Sequence, residues 1–144
     1  MSTTWGIVVT LLSLIAWVGQ AIAVLSPRTA AKLSLAEPES EVDPAFAADI
    51  RAEAIWDIFV LWTLPVAGIL LILNHSWWAY FGLVGGGMYL YFAGRGILQR
   101  LFMQQRAIRI GTPNNVKSAY VFCSLWGVAA VVTIVLAVTA LPMP

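Results

Sequence analysis

Asp57 and Arg95 stand inside long apolar runs of the sequence. An ionisable side chain in hydrocarbon costs on the order of 3 kcal/mol at the centre of a span unless it is paired or watered, so such residues mark sites. The chemistry open to them is ion pairing, proton or cation binding, or capture of a charged headgroup. Asp49, Glu53 and Asp57 recur at i, i+4 and i+8, which places three carboxylates on one helical face. Gln99 follows Arg95 by four residues and shares its face. Gln20, Tyr120 and Ser124 fall at matching depth in their own apolar runs. Asp57, Arg95, Glu53, Gln20, Gln99, Tyr120 and Ser124 are therefore the candidate binding or ion-pathway residues, gathered in one polar layer.

Two readings of the layer stand. In one, Asp57 and Arg95 pair and pin two helices in register, with Arg95 snorkelling. In the other, the layer is an ion, proton or headgroup site open to the cytoplasm. Shallow placement favours the first, because a charge near the interface costs far less than one at the midplane.

Other chemistries lack their residues. His75 is the only histidine and Cys123 the only cysteine, so neither a bis-histidine haem site nor an intrachain disulfide is expected. No zinc-type cluster or nucleophile–histidine pairing is visible. Gly85-Gly86-Gly87 lies in mid-run with no strand before it, so it is not a phosphate loop. Asn74-His75-Ser76 fits the glycosylation pattern, but it sits in a tight turn between Leu73 and Trp77 with little access for an enzyme. We expect no catalytic residue, no metal and no cofactor, and an enzyme is the less favoured class.

The elements that must position the layer follow from composition. The chain has 144 residues, 60% hydrophobic and 10% charged, with a mean hydropathy of +0.85. A soluble domain is about 45–50% apolar and about 25% charged. A globule of this size buries only roughly two-thirds of its surface, too little to hide this much apolar side chain. That excludes an ordinary soluble enzyme, a nucleic-acid-binding domain and a disordered chain. Four stretches, about 5–25, 54–73, 77–98 and 118–141, are long enough to cross a hydrocarbon core of about 30 Å. The expected fold is an all-α integral membrane protein, an antiparallel four-transmembrane-helix bundle with amphipathic cytoplasmic extensions, forming one membrane domain over residues 1–144. Met1-Ser2-Thr3-Thr4 carries no positive charge, so the first run reads as a retained anchor and not a cleaved signal.

All eight lysines and arginines fall in residues 26–53 and 95–117. The positive-inside rule then puts loops 26–53 and 99–117 in the cytoplasm and both termini outside, in a bacterial inner membrane. Trp5, Trp77, Trp78 and Tyr80 supply an outer aromatic belt. Ser26-Pro27 opens a short amphipathic segment to about residue 37, with Ala31, Leu33 and Leu35 among Arg28, Lys32 and Ser34. Asp43-Pro44 caps a helix that continues into span two, where Pro65 introduces a kink. Span three overruns as a basic helix to Ile110, stopped by residues 111–115, with Arg100, Arg106 and Arg109 set to grip anionic lipid headgroups.

Residues 26–53 carry a net charge of −3 and residues 95–117 a net charge of +5. The two arms are either separately solvated or docked on each other, within one chain or between neighbours. Gly82 and Gly86, with Gly94 further along, give span three a small-residue packing face.

Three functions are expected in order. The first is a small polytopic membrane protein acting by assembly, as a homo-oligomer or as an accessory subunit of a membrane complex. The second is a small ion, proton or solute channel or carrier using the Asp57–Arg95 layer. The third is a lipid-binding or lipid-modifying protein. The expected partners are anionic membrane lipids and other membrane proteins, with no nucleic acid.

Overall fold

The computed structural model describes residues 2–33 and 35–141. It is helical, with α1 (Ser2–Leu25), α2 (Pro27–Lys32), α3 (Pro44–Val60), α4 (Thr63–Ile72), α5 (Trp78–Gln105) and α6 (Pro113–Ala140). A 3₁₀ turn covers Glu39–Glu41, and the described residues hold no strand beyond one isolated bridge between Val42 and Ile110.

Three helical stretches are long and apolar enough to cross a membrane: Thr3–Leu25, Pro44–Ile72 and Pro113–Ala140. They correspond to expected spans one, two and four. The expected span 77–98 lies in α5, which is not among them. Length is not the reason, since its 28 residues reach about 42 Å at about 1.5 Å each. Its six glycines, three tyrosines and two arginines dilute its apolarity.

Sequence neighbours pack as spatial neighbours. α1 lies on α3 and α4, α4 on α5, and α5 on α6, while α1 and α6 meet at few points. Val9, Leu61, Leu64, Tyr89 and Ala130 form the centre of the core. Many large apolar side chains face outward instead, among them Leu11 at 58%, Phe59 at 66% and Val128 at 63% exposure.

Glycine sets the closest helix approaches. A Cβ on Gly85 would lie 2.6 Å from the Leu64 backbone nitrogen of α4. One on Gly86 would lie 2.6 Å from Ile134 Cγ1, and one on Gly82 3.3 Å from Ala137 Cβ, both on α6. The expected Gly82–Gly86 face is thus a seam within the chain. Gly94 is not part of it, for a Cβ there would meet nothing within 4 Å. Eight residues past Gly86 the helix has rotated about 80° off the seam, whereas seven return close to it. Ala93 takes the packing position and is buried. A second close crossing, Gly6 on α1 against Gly68 on α4, escaped the sequence reading; a Cβ on Gly6 would lie 2.9 Å from the Gly68 carbonyl oxygen.

The α3–α4 break falls at Leu61 and Trp62, one turn before Pro65. Proline has no N–H to offer the carbonyl four residues back, which is that of Leu61. At the head of α3 the expected cap is present, with Asp43 Oδ1 accepting from the Ala45 backbone N–H at 2.9 Å.

Three loop boundaries differ from expectation. α2 ends at Lys32 and not near residue 37; Ser34 lies outside the described residues. α5 ends at Gln105, five residues short of Ile110. Ala107 adopts φ 55° and the Ile108 N–H donates to the Met103 carbonyl at 3.0 Å, a Schellman-type reversal. The returning chain buries Ile110 against Val42, Phe46 and Val116. α6 starts at Pro113, not 118, because Thr112 is its N-cap and accepts from the Asn115 N–H at 3.4 Å. The arms therefore dock within one chain, mainly through an apolar cluster.

Candidate functional site

The acidic stripe of α3 faces Arg95 of α5. Arg95 Nη2 donates to Asp49 Oδ1 at 3.1 Å and Oδ2 at 3.0 Å, and Nη1 pairs with Glu53 Oε2. Gln99 Nε2 donates to the same Asp49 Oδ2. The expected Asp57–Arg95 pair is not formed. Asp57 lies deeper, 4% exposed, and its Oδ2 has no partner. A long guanidinium side chain reaches past Asp57 to the two more accessible carboxylates of the stripe. The cluster bolts α3 to α5.

Of the other predicted residues, Tyr120 donates its hydroxyl to Gln104 Oε1 at 3.0 Å on the exposed side of the arms. Ser124 is exposed and joins nothing in the cluster. Gln20 and Glu53 both line one cavity.

That cavity has a volume of about 240 Å³ and is lined by α1, α2, α3, α5 and α6 and by the loop before α3, with α1 and α6 both reaching it. Ile15, Gly19 and Gln20 of α1 form one wall, and Ala119, Phe122 and Trp126 of α6 the other. Phe92 and Gly96 of α5 lie between the walls. Trp126 Nε1 donates to the Leu12 carbonyl at 2.9 Å and closes the inner end. The span from Asn115 to Trp126 on α6 is about 16 Å at about 1.5 Å per residue.

The outer end of the cleft is charged. Arg100 Nη1 donates to the Gly96 carbonyl at 3.0 Å, and its guanidinium carbon sits 5.8 Å from the Phe46 ring centroid. Arg100 Nε has no partner, and among the described residues the only side-chain ion pairs are those of Arg95. Across the mouth, Glu37 Oε2 accepts from Asn115 Nδ2 at 2.9 Å and the Thr112 N–H at 3.4 Å. Glu37 thereby fastens the loop to the start of α6, where the helix dipole favours an anion. Burial still pushes its carboxyl pKa above the ordinary value, opposed by the hydrogen bonds from Asn115 and Thr112 and by the charge of Arg100.

Of the three arginines expected to grip lipid headgroups, Arg100 lines the cleft, while Arg106 and Arg109 do not. Arg109 Nη1 donates to the Ser40 carbonyl at 3.4 Å, and Arg106 is exposed at the C-cap of α5. Glu37 escaped the sequence reading, because no local pattern ties an acid in one loop to a helix start 75 residues later. Among the described residues no group of three or more His, Cys, Asp or Glu is placed to hold a metal ion. Comparison of the chain with protein-family models, with curated proteins and with solved structures returns no match.

Proposed function

We propose that the protein is a four-span membrane protein that binds a membrane amphiphile in the cleft between α1 and α6. The spans are α1, α3 with α4, α5, and α6, arranged antiparallel as a bundle. α5 counts as a span despite its modest apolarity, because it is sandwiched between α4 and α6 and must cross wherever they do. Outward-facing Leu11, Phe59 and Val128 suit a hydrocarbon surround. The bases gather in the two arms, which meet at one end of the bundle, and the positive-inside rule assigns that end to the cytoplasm.

One observation carries the reading: the cleft joins an apolar lining to charged residues and reaches both α1 and α6, which meet at few points. The features that recommended assembly in the sequence are engaged elsewhere. The glycine face is filled by α6, and the oppositely charged arms are docked on each other. The cleft is what remains without a partner.

The test is photo-crosslinking in proteoliposomes with a phospholipid bearing a diazirine on its acyl chain. Adducts are expected to concentrate on the cleft walls, at Gly19, Ala119 and Phe122. Labelling spread evenly over outward residues such as Val84 and Val128, with no excess in the cleft, overturns the reading.

A further inference from the structure

The charges at the mouth of the cleft specify the head of its occupant; this step rests on the reading of the cleft as an amphiphile site. Arg51, Arg100, Glu37, Glu39 and Glu53 all line the cavity, so both signs of charge face it, and Arg100 and Glu37 form no ion pair with each other or with any other described residue. Two unlike charges that face one space without touching suit a group carrying both signs. A purely anionic head would satisfy Arg100 while meeting the carboxylates of Glu37 and Glu53. A purely cationic head would reverse the problem.

Each side is already oriented. The Gly96 carbonyl and the Phe46 ring hold the Arg100 guanidinium in place. The hydrogen bond uses Nη1, and Nε is buried without a partner, so Nη2 is the group left to donate to a phosphate oxygen. Glu37 uses Oε2 for Asn115 and Thr112 and keeps Oε1 to accept from a donor. A primary ammonium offers three N–H donors, whereas a trimethylated one offers none. The apolar part fits Phe92, Phe122 and Trp126. The cleft volume of about 240 Å³ is below the roughly 300–1,000 Å³ of an enclosing ligand pocket, so part of one acyl chain enters and the rest stays in the bilayer.

We infer that the occupant is a phospholipid with a primary ammonium in its headgroup, its phosphate on Arg100 and its ammonium on Glu37. The inference departs from the anionic lipid that the basic arm alone suggests.

The experiment is native mass spectrometry of the full chain after equilibration with an equimolar mixture of phosphatidylethanolamine, phosphatidylcholine and phosphatidylglycerol. The ethanolamine lipid is expected in the retained adduct at a roughly tenfold excess over each of the others, the scale of one hydrogen bond to a charged group. Glu37→Gln keeps an acceptor for Asn115 and Thr112; it is expected to bring ethanolamine and choline lipids level while an adduct persists. Arg100→Gln is expected to weaken all three classes together. Equal retention of the three by the unaltered chain, or preference for the glycerol lipid, overturns the inference and leaves the amphiphile reading standing. No retained lipid of any class overturns that reading itself. Should Glu37→Gln lose helix by circular dichroism, the preference of the unaltered chain decides alone.

Discussion

Three consecutive glycines in α5 should respond in opposite ways to the same added methyl group. A Cβ at Gly85 would lie 2.6 Å from the Leu64 nitrogen and 2.7 Å from its Cα. Optimal separation between carbon atoms is about 3.5–4.0 Å, so α4 must withdraw by about 1 Å. The obstacle is backbone, which no rotamer change can move aside. Overpacking of this kind costs about 1–3 kcal/mol, and a backbone clash sits at the upper end. Alanine recovers about 1 kcal/mol of helix propensity over glycine, leaving Gly85→Ala destabilised by about 2 kcal/mol.

At Gly86 the nearest atoms are Ile134 Cγ1 at 2.6 Å, on a β-branched side chain that yields only in part, and the Ala130 carbonyl oxygen at 3.2 Å. Strain there outweighs the gain in propensity, by less than at Gly85. At Gly87 a Cβ would meet nothing within 4 Å, so only the gain of about 1 kcal/mol remains. The expected order of stability is Gly87→Ala, then the unaltered chain, then Gly86→Ala, then Gly85→Ala. The extremes differ by about 3 kcal/mol. Unfolding in one fixed detergent, followed by helical circular dichroism, reads the order directly. If Gly85→Ala proved as stable as Gly87→Ala, the α4–α5 register would be refuted.

Further outcomes follow from single residues. Ala107 holds φ 55°, which costs a non-glycine residue about 1 kcal/mol, so Ala107→Gly should stabilise by about that amount in the same unfolding assay; a loss would contradict the α5 reversal. Asp57 is a buried carboxylate with no ion pair, and Asp57→Asn should raise stability by about 1–3 kcal/mol; a clear drop would mean that the carboxylate holds a cation or partner. Glu37 has a folded-state pKa above its unfolded value, so the folded chain holds that proton more tightly. Its contribution to stability is complete below the unfolded value of about 4.3 and is lost as pH rises toward the folded one. Glu37→Gln should flatten that fall in a pH series of unfolding midpoints, and an unchanged slope would contradict the assignment.

How much of this was legible in the sequence varies by element. The runs that became α1, α3 with α4, and α6 are long and continuously apolar, a signal of length and composition that needs no tertiary context. Asp43-Pro44 and Pro65 act through local backbone chemistry, so the cap and the break fell where one-dimensional reasoning puts them. Arg95 was legible as a site residue but its partner was not. Its side chain spans more than a helical turn, and the stripe offers Asp49, Glu53 and Asp57 at successive turns; only packing decides among them. The end of α5 carried no signal, since Ala107 takes a conformation usually marked by glycine. Residues 111–115 were legible as punctuation, yet Thr112-Pro113 is also a helix start, and both meanings share the same residues. The cleft was invisible because five helices and a loop build it, and the helical spacing within each wall does not tell which walls face each other.

The central claim is that the seam between α1 and α6 holds a membrane amphiphile. The most direct measurement is the lipid stoichiometry of the purified chain, by native mass spectrometry, with the cleft filled or left open. Gly19 lines the cleft and has room for a Cβ, its nearest neighbour being Leu35 Cδ2 at 3.9 Å, so Gly19→Phe should occupy the cavity without breaking the helix. Gly87→Phe, whose Cβ meets nothing within 4 Å, is the matched control. One retained lipid per chain is expected in the unaltered protein and in Gly87→Phe, and none in Gly19→Phe at equal helicity. Equal retention in all three would contradict the account.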